Sequence, residues 1–179
     1  MRFVPTPFHD AWIIEPTPFT DERGSFARAY CEREFQEKGL NTRWVQNNHS
    51  INHQRGTLRG LHYQSPPHEE IKIVRCLVGA VFDVIVDLRQ ESPTYLTWQG
   101  FELSDRNQHS LYVPAGFAHG FQTLTDGAEL YYHMSCFYHP ESATGVRWND
   151  PKLNIAWPLG ESHISDKDRN LPLLTNPHT

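Results

Sequence analysis

The feature that most constrains this chain is a series of short β-branched and aromatic runs from about residue 48 onward. Each run is closed by turn residues before it reaches helical length. Val81-Phe-Asp-Val-Ile-Val-Asp-Leu88 is the richest, and Ile71-Lys-Ile-Val-Arg-Cys-Leu-Val78, Leu111-Tyr-Val113 and Leu130-Tyr-Tyr-His-Met134 share its character. Between them stand Gly79-Ala, Glu91-Ser-Pro-Thr, Ser104-Asp-Arg-Asn, Pro114-Ala-Gly and Thr125-Asp-Gly, sequences that reverse a chain within a few residues. This spacing suits an antiparallel sandwich or barrel better than βαβ units. The expected fold is all-β, a double-sheet jelly roll with a few short helices, its core spanning about residues 44–140.

The 179 residues fit a single domain, able to bury roughly two thirds of the surface of the unfolded chain. Pro5, Pro7, Pro16 and Pro18 mark residues 1–30 as an extended arm lying on a sheet. Glu32 to Gly39 reads as a short helix with glycine as its stop, and Ser165 is placed to cap another within the segment 150–179. The net charge of -5, without acidic or basic blocks, leaves no electrostatic footprint for nucleic acid or an anionic membrane. No apolar run approaches the roughly 20 residues of a membrane span, and the first residues lack the apolar core of a secretory signal. A cytoplasmic protein with a small-molecule partner is expected. Cys31, Cys76 and Cys136, odd in number and widely spaced, read as reduced buried thiols.

Several polar residues break the apolar pattern. The stretch Arg55-Gly-Thr-Leu-Arg-Gly-Leu-His-Tyr-Gln64 places Arg59 and His62 three residues apart, and Lys72 sits inside an apolar run. With Asp83, His119 and Tyr132, these groups fall on or beside strands that otherwise look like core. Buried ionisable groups are costly unless paired, so a jelly roll holding several of them is expected to open onto a polar ligand. Taken singly, each has a plainer explanation: a hydrogen-bonded strand histidine, an exposed cation, a core tyrosine whose hydroxyl reaches water. A metal is the rival explanation for the group. However, Gln64 stands where a second histidine would follow His62, and a lysine ammonium cannot ligate and would repel a dication.

Asp21-Glu-Arg-Gly-Ser-Phe26, Val45-Gln-Asn-Asn-His-Ser50, Gly56 to Gln64, Val81 to Arg89, Val113-Pro-Ala-Gly-Phe-Ala-His-Gly-Phe121, Tyr138-His-Pro-Glu141, Arg147-Trp-Asn-Asp-Pro151, Ile155-Ala-Trp-Pro158 and Ile164-Ser-Asp-Lys-Asp168 follow one another in an order that resembles the dTDP-4-dehydrorhamnose 3,5-epimerases. The resemblance implies a metal-free, cupin-like jelly roll that needs no cofactor. It also implies a homodimer exchanging amino-terminal strands and a nucleotide diphosphate sugar as substrate, inverted beside its keto group. It assigns His62 as base, Asp168 as its carboxylate partner with Asp166 as the neighbouring alternative, and Lys72 beside the developing oxyanion. Asp83 is expected to orient the Lys72 ammonium, and Tyr132 to be the acid on the opposite face. Arg59 and Arg23 match diphosphate contacts, and Phe26 a stacking partner for the base. Gln46, Asn48, His119, Tyr138 and Lys167 match further substrate contacts, and Arg23 and Phe26 are expected to serve the neighbouring subunit if strands are exchanged.

Two positions depart from the family pattern. Arg28 and Ala143 stand where glutamates are usual, which shifts the local charge positively and leaves nucleotide and sugar choice open. The alternatives are therefore inversion at one carbon only, a cytidine-linked substrate, a ketoisomerase, or a non-catalytic sugar-nucleotide binding module. A metal-dependent dioxygenase is the remaining rival.

Overall fold

The computed structural model describes residues 1–160 and 163–174, so the remainder of the 150–179 segment lies outside the described residues. In chain order the strands are β1 (Arg2–Pro5), β2 (Trp12–Glu15), β3 (Phe19–Asp21), β4 (Gly24–Phe26), β5 (Gln46–Asn52), β6 (Thr57–Gln64), β7 (Lys72–Val78), β8 (Ala80–Asp87), β9 (Trp98–Ser104), β10 (Ser110–Val113), β11 (Phe117–Thr123), β12 (Ala128–Met134), β13 (Ala143–Gly145) and β14 (His163–Ile164). Helix α1 (Glu32–Glu37) precedes β5, and α2 (Asp166–Arg169) follows β14. Neither helix is long and apolar enough to cross a membrane.

The strands form two facing sheets, ordered β1-β2-β10-β7-β12-β5 and β13-β6-β11-β8-β9, with β14 beside β6 and a separate β3-β4 hairpin. This is the double-sheet architecture expected of the short, turn-separated runs. The amino-terminal arm does more than lie on a sheet, because β2 pairs with β10 and extends the first sheet by two strands.

Alternation at period two sorts each strand's residues between layers. Val74, Cys76, Leu111 and Leu130 from the first sheet meet Val81, Ile85, Phe117 and Phe121 from the second in the central core. Residues of opposite parity face outward and need cover. Leu61, Val84, Val86 and Ala118 are covered by Val146 and Leu153, with Ile155 and Trp157, so the carboxyl-terminal segment closes the back of the second sheet. Ile14, Ile73 and Tyr112 are covered by Phe35 of α1 and by Leu40. Helix α1 stops where expected, with Gly39 in the left-handed region at φ +70°.

The three cysteines are free, but only Cys76 is buried; burial pushes its thiol up to about 11. Cys31 and Cys136 are partly exposed, which corrects the expectation of three buried thiols. Cys31 precedes α1 and Cys136 follows β12, so neither lies on a strand face turned into the sandwich.

Asp87, at the end of β8, organises the turn that follows. Its carboxylate accepts from Arg89 Nε at 2.9 Å and Nη2 at 2.8 Å, from Ser92 Oγ at 2.6 Å and from Thr94 Oγ1 at 2.7 Å. Burial alone would raise its pKa, but these donors outweigh that and lower it to about 2. A depressed carboxylate stabilises the fold above its unfolded value and loses that contribution as pH falls through the folded value. Asp87→Asn is therefore expected to cost about 2 kcal/mol at neutral pH, and the gap to the parent should close as pH drops from about 4 toward 2. Urea unfolding across that range measures it; a gap independent of pH would refute the assignment.

Candidate active site

Most of the polar residues singled out in the sequence collect in one cleft lined by both sheets. This cleft, of about 200 Å³, is lined by Gln46, Asn48, His62, Tyr138, Ala143 and Lys167, among others. A second lobe shares Asn48, His62 and Met134 with it and adds Arg59, Lys72, His119 and Tyr132.

Each wall has its own chemistry. On the first sheet, Tyr132 is paired across to Val74 and Asn48, and Met134 to Lys72 and Gln46. Parity puts the side chains of Lys72, Tyr132, Asn48 and Gln46 on the inner face. On the second sheet, His62 of β6 is directly opposite His119 of β11. Asp83 of β8 occupies the same inner face between Val81 and Ile85 of the core.

Three charge pairs hold these groups. His62 Nε2 lies 2.7 Å from Asp168 Oδ1, while Asp168 Oδ2 accepts the Gly60 N–H at 3.2 Å. Asp168 is delivered by α2, whose cap Ser165 accepts the Asp168 N–H. Burial would raise the Asp168 pKa, but the hydrogen bond and charge of His62, the Gly60 N–H and Lys167 bring it below the usual carboxylate range. An ionised Asp168 fixes the His62 tautomer. With Nε2–H donated to it, Nδ1 carries the free lone pair and has no partner among the described residues. The His62 side chain is 42% exposed while Asp168 is 7% exposed, so the imidazole reaches the cleft and its anchor does not.

Gly60 makes this arrangement possible. It sits at φ +123°, and a Cβ there would fall 2.6 Å from the Gly120 Cα. Only glycine brings β6 close enough to β11 for both His62 and the Gly60 N–H to meet Asp168.

The second pair is His119 Nε2 with Asp83, at 2.9 and 3.0 Å. This corrects the expectation that Asp83 orients Lys72. Asp83 stands on the opposite sheet beside β11, and the lysine has a nearer partner. That partner is Glu70, whose Oε1 lies 2.8 Å from Lys72 Nζ, with both side chains at most 10% exposed. The sequence reading missed Glu70, although it lies two residues before Lys72 and so on the same side of an extended chain.

Tyr132 is held as a neutral phenol. Burial and the Asp83 carboxylate raise its pKa, opposed by Arg59. Its ring meets His119 edge-on at 6.1 Å. Arg59 donates from Nε to Asn52 at 2.8 Å, which leaves the end of its guanidinium for a ligand.

Arg23 and Phe26 are not brought to this cleft. They lie on the β3-β4 hairpin, where Arg23 pairs with Asp21 and Phe26 is 76% exposed. Lys167 reaches the rim, whereas Asp166 lies outside the lining residues of the cleft. Gln64 serves the backbone instead of a ligand: its amide donates to the carbonyls of His68 and Phe137 at 3.0 and 3.1 Å, and its oxygen accepts the His139 N–H at 2.7 Å.

With this geometry in place, comparison with known proteins decides the family. A sequence profile of dTDP-4-dehydrorhamnose 3,5-epimerase matches residues 5–176. The chain belongs to that family. A dTDP-4-dehydrorhamnose 3,5-epimerase of Methanothermobacter thermautotrophicus is 47% identical over 98% of this chain and 96% of its own. The crystal structure of the Bacillus anthracis epimerase with TDP and PPi bound superposes with a TM-score of 0.94 at 43% identity, covering 97% of this chain and 99% of that one. The Legionella pneumophila dTDP-6-deoxy-D-glucose-3,5-epimerase, in complex with dTDP-4-keto-L-rhamnose, gives 0.90 at 42% identity, covering 96% and 92%.

The Glu70–Lys72 pair carries a consequence for stability. Removing one partner of a buried pair leaves an uncompensated charge, at a cost of about 3–5 kcal/mol. Glu70→Ala is expected to lose about 3 kcal/mol in urea unfolding, and Glu70→Ala with Lys72→Met should regain most of it. Equal losses in the single and double variants would show that the pair is not what holds Lys72.

Proposed function

We propose that this chain inverts carbons 3 and 5 of dTDP-4-keto-6-deoxy-D-glucose through an enolate, using side chains alone. The observation that carries the reading is the placement of His62 and Tyr132 on opposite sheets, lining one cleft. A proton beside a keto group is acidified by the carbonyl, because its electron pair can move onto the carbonyl oxygen. His62 Nδ1 takes that proton, and the resulting imidazolium is stabilised by Asp168 at 2.7 Å. Charge develops on the oxygen at carbon 4, where Lys72 presents the N–H left over from Glu70 and the His62 carbonyl. Tyr132 returns a proton to the other face of the flat enolate, which inverts the carbon, and recovers its own from solvent while the His62 imidazolium releases the proton it took. A neutral phenol is suited to this step because it brings no charge that would stabilise the ground state.

Recognition of the nucleotide uses the remaining groups. Arg59 fits the diphosphate, as guanidinium forks match phosphate oxygens. Gln46, Asn48, His119, Tyr138 and Lys167 offer hydrogen bonds around the sugar and base. Arg23 and Phe26 complete the site from a second copy, the exposed hairpin being the part of this chain free to reach another. The working unit is then a homodimer.

The test is incubation with dTDP-4-keto-6-deoxyglucose in deuterium oxide, following carbons 3 and 5 by NMR. Deuterium at both carbons with inversion is expected of the parent protein. His62→Ala should slow exchange by about 10²–10⁴-fold. Tyr132→Phe should still exchange deuterium through His62 while losing net inversion. Parent-like exchange in His62→Ala would remove the base; parent-like inversion in Tyr132→Phe would remove the acid. Deuterium at a single carbon would narrow the activity to one centre, and none at either carbon would point to a cytidine-linked sugar or to binding without catalysis.

A further inference from the structure

Beside the cleft, on the loops after β6 and before β13, two imidazoles and a carboxylate converge without a part in the proposed chemistry. The rings of His68 and His139 lie face to face, with centroids 3.5 Å apart and planes 9° from parallel. His139 Nδ1 is 3.1 Å from Glu141 Oε1, and His68 Nδ1 is 4.0 Å from the same oxygen. One donor atom from each residue falls within 4.8 Å of the other two. We propose that His68, His139 and Glu141 form a binding site for a divalent transition-metal ion of the zinc, cobalt or nickel class.

The distances suit such an ion. A tetrahedral centre with bonds of about 2.0–2.1 Å holds its ligand atoms about 3.3 Å apart with each imidazole lone pair aimed at the ion, so binding requires the stacked His68 and His139 rings to rotate apart about their side-chain bonds. Hydrogen bonding accounts for the His139–Glu141 contact, but it does not require the Nδ1 of His68 to lie around the same point. That atom is 2.9 Å from Ser142 Oγ, a hydroxyl it can exchange for an ion. Two imidazoles with one carboxylate select zinc, cobalt or nickel over magnesium or calcium, which take all-oxygen shells. Three protein ligands leave a position for water.

The frame around the site is preorganised. Gln64, buried, holds the carbonyl of His68 and the N–H of His139 at once. The turn from His139 to Ala143 is closed by the Ser142 and Ala143 N–H groups, both donating to the His139 carbonyl. Side-chain exposures of 29% for His68, 34% for His139 and 65% for Glu141 give an ion access from solvent. Tyr138 and Ala143, next to these ligands, line the cleft, so an ion would tether two loops at its rim and leave His62, Lys72 and Tyr132 untouched. The proposal stands apart from the epimerase reading, because its readout is binding.

The experiment is titration of the EDTA-stripped full chain with zinc chloride by calorimetry, with cobalt chloride followed by visible absorption as a geometric probe. The parent is expected to take up one ion per chain at this site. Losing an outer-shell partner of a metal typically costs about 10–100-fold in affinity, so His68→Ala and His139→Ala should each weaken zinc more than tenfold, and the pair together should lower the stoichiometry by one. Magnesium should not compete. Circular dichroism confirms folding, and Glu141→Gln gives a milder second variant. Absence of saturable zinc binding by the parent, or unchanged stoichiometry and affinity in the double variant, would overturn the proposal.

Discussion

The structure depends on pairing the charges that line its polar cleft. A β-sandwich core that opens into a polar cleft must hold ionisable groups next to Val74, Val81 and Ile85, where an unpaired charge is prohibitive. This chain solves the problem three times: Asp168 for His62, Asp83 for His119 and Glu70 for Lys72. The three carboxylates come from different places: a carboxyl-terminal helix, a neighbouring strand in the same sheet, and the residue two positions upstream. The His62–Asp168 pair makes the heaviest demand, since its members are 106 residues apart in sequence. Asp168 arrives because Val146, Leu153, Ile155 and Trp157 pack the carboxyl-terminal segment on the back of the second sheet. Packing on the outer face of that sheet thus sets the geometry of the His62–Asp168 pair on its inner face.

The two sheets contribute different chemistry to the cleft. The second sheet contributes the imidazoles and Asp83, with Asp168 supplied by α2; the first contributes the ammonium, the phenol and the amides of Gln46 and Asn48. On the proposed mechanism, a flat enolate held between them would meet His62 on one side and Tyr132 on the other. The register is what maintains this, since a slip of one residue would turn Tyr132 out of the cleft and Tyr131 or His133 in.

Much of this was legible in the sequence. The β-branched runs and turn residues indicated two sheets, and the placement of Ser165, Gly39 and the prolines located both helices and the arm. Polar residues at inward positions marked the cleft, because nothing but a ligand or a partner justifies Lys72 or Asp83 among apolar neighbours. Pairing across strands was the part that could not be read. Alternation says which side a residue faces, but it does not say which strand lies next to it, so Asp83 was matched with Lys72 instead of His119. Glu70 was overlooked because it precedes its strand, outside the periodic pattern. The exposure of Cys31 and Cys136 has the same origin: both lie beyond strand ends, where parity carries no information.

The same distinction bears on the two positions where this chain departs from its family's usual glutamates. Arg28 is exposed and its guanidinium is paired with Glu34 at 2.9 Å, so its positive charge is answered within its own chain. It borders Phe19 and Phe26 of the outlying hairpin, away from His62. Ala143 is different. It lies on β13, paired in register with Gln64, and lines the cleft with Tyr138 and Lys167. A methyl there provides neither charge nor hydrogen bond, leaving the adjacent polar contacts to Tyr138, Lys167 and Glu70. Of the two departures, Ala143 is the one in the cleft of its own chain, whereas Arg28 borders Phe26 and would meet a site only where the hairpin reaches a second copy.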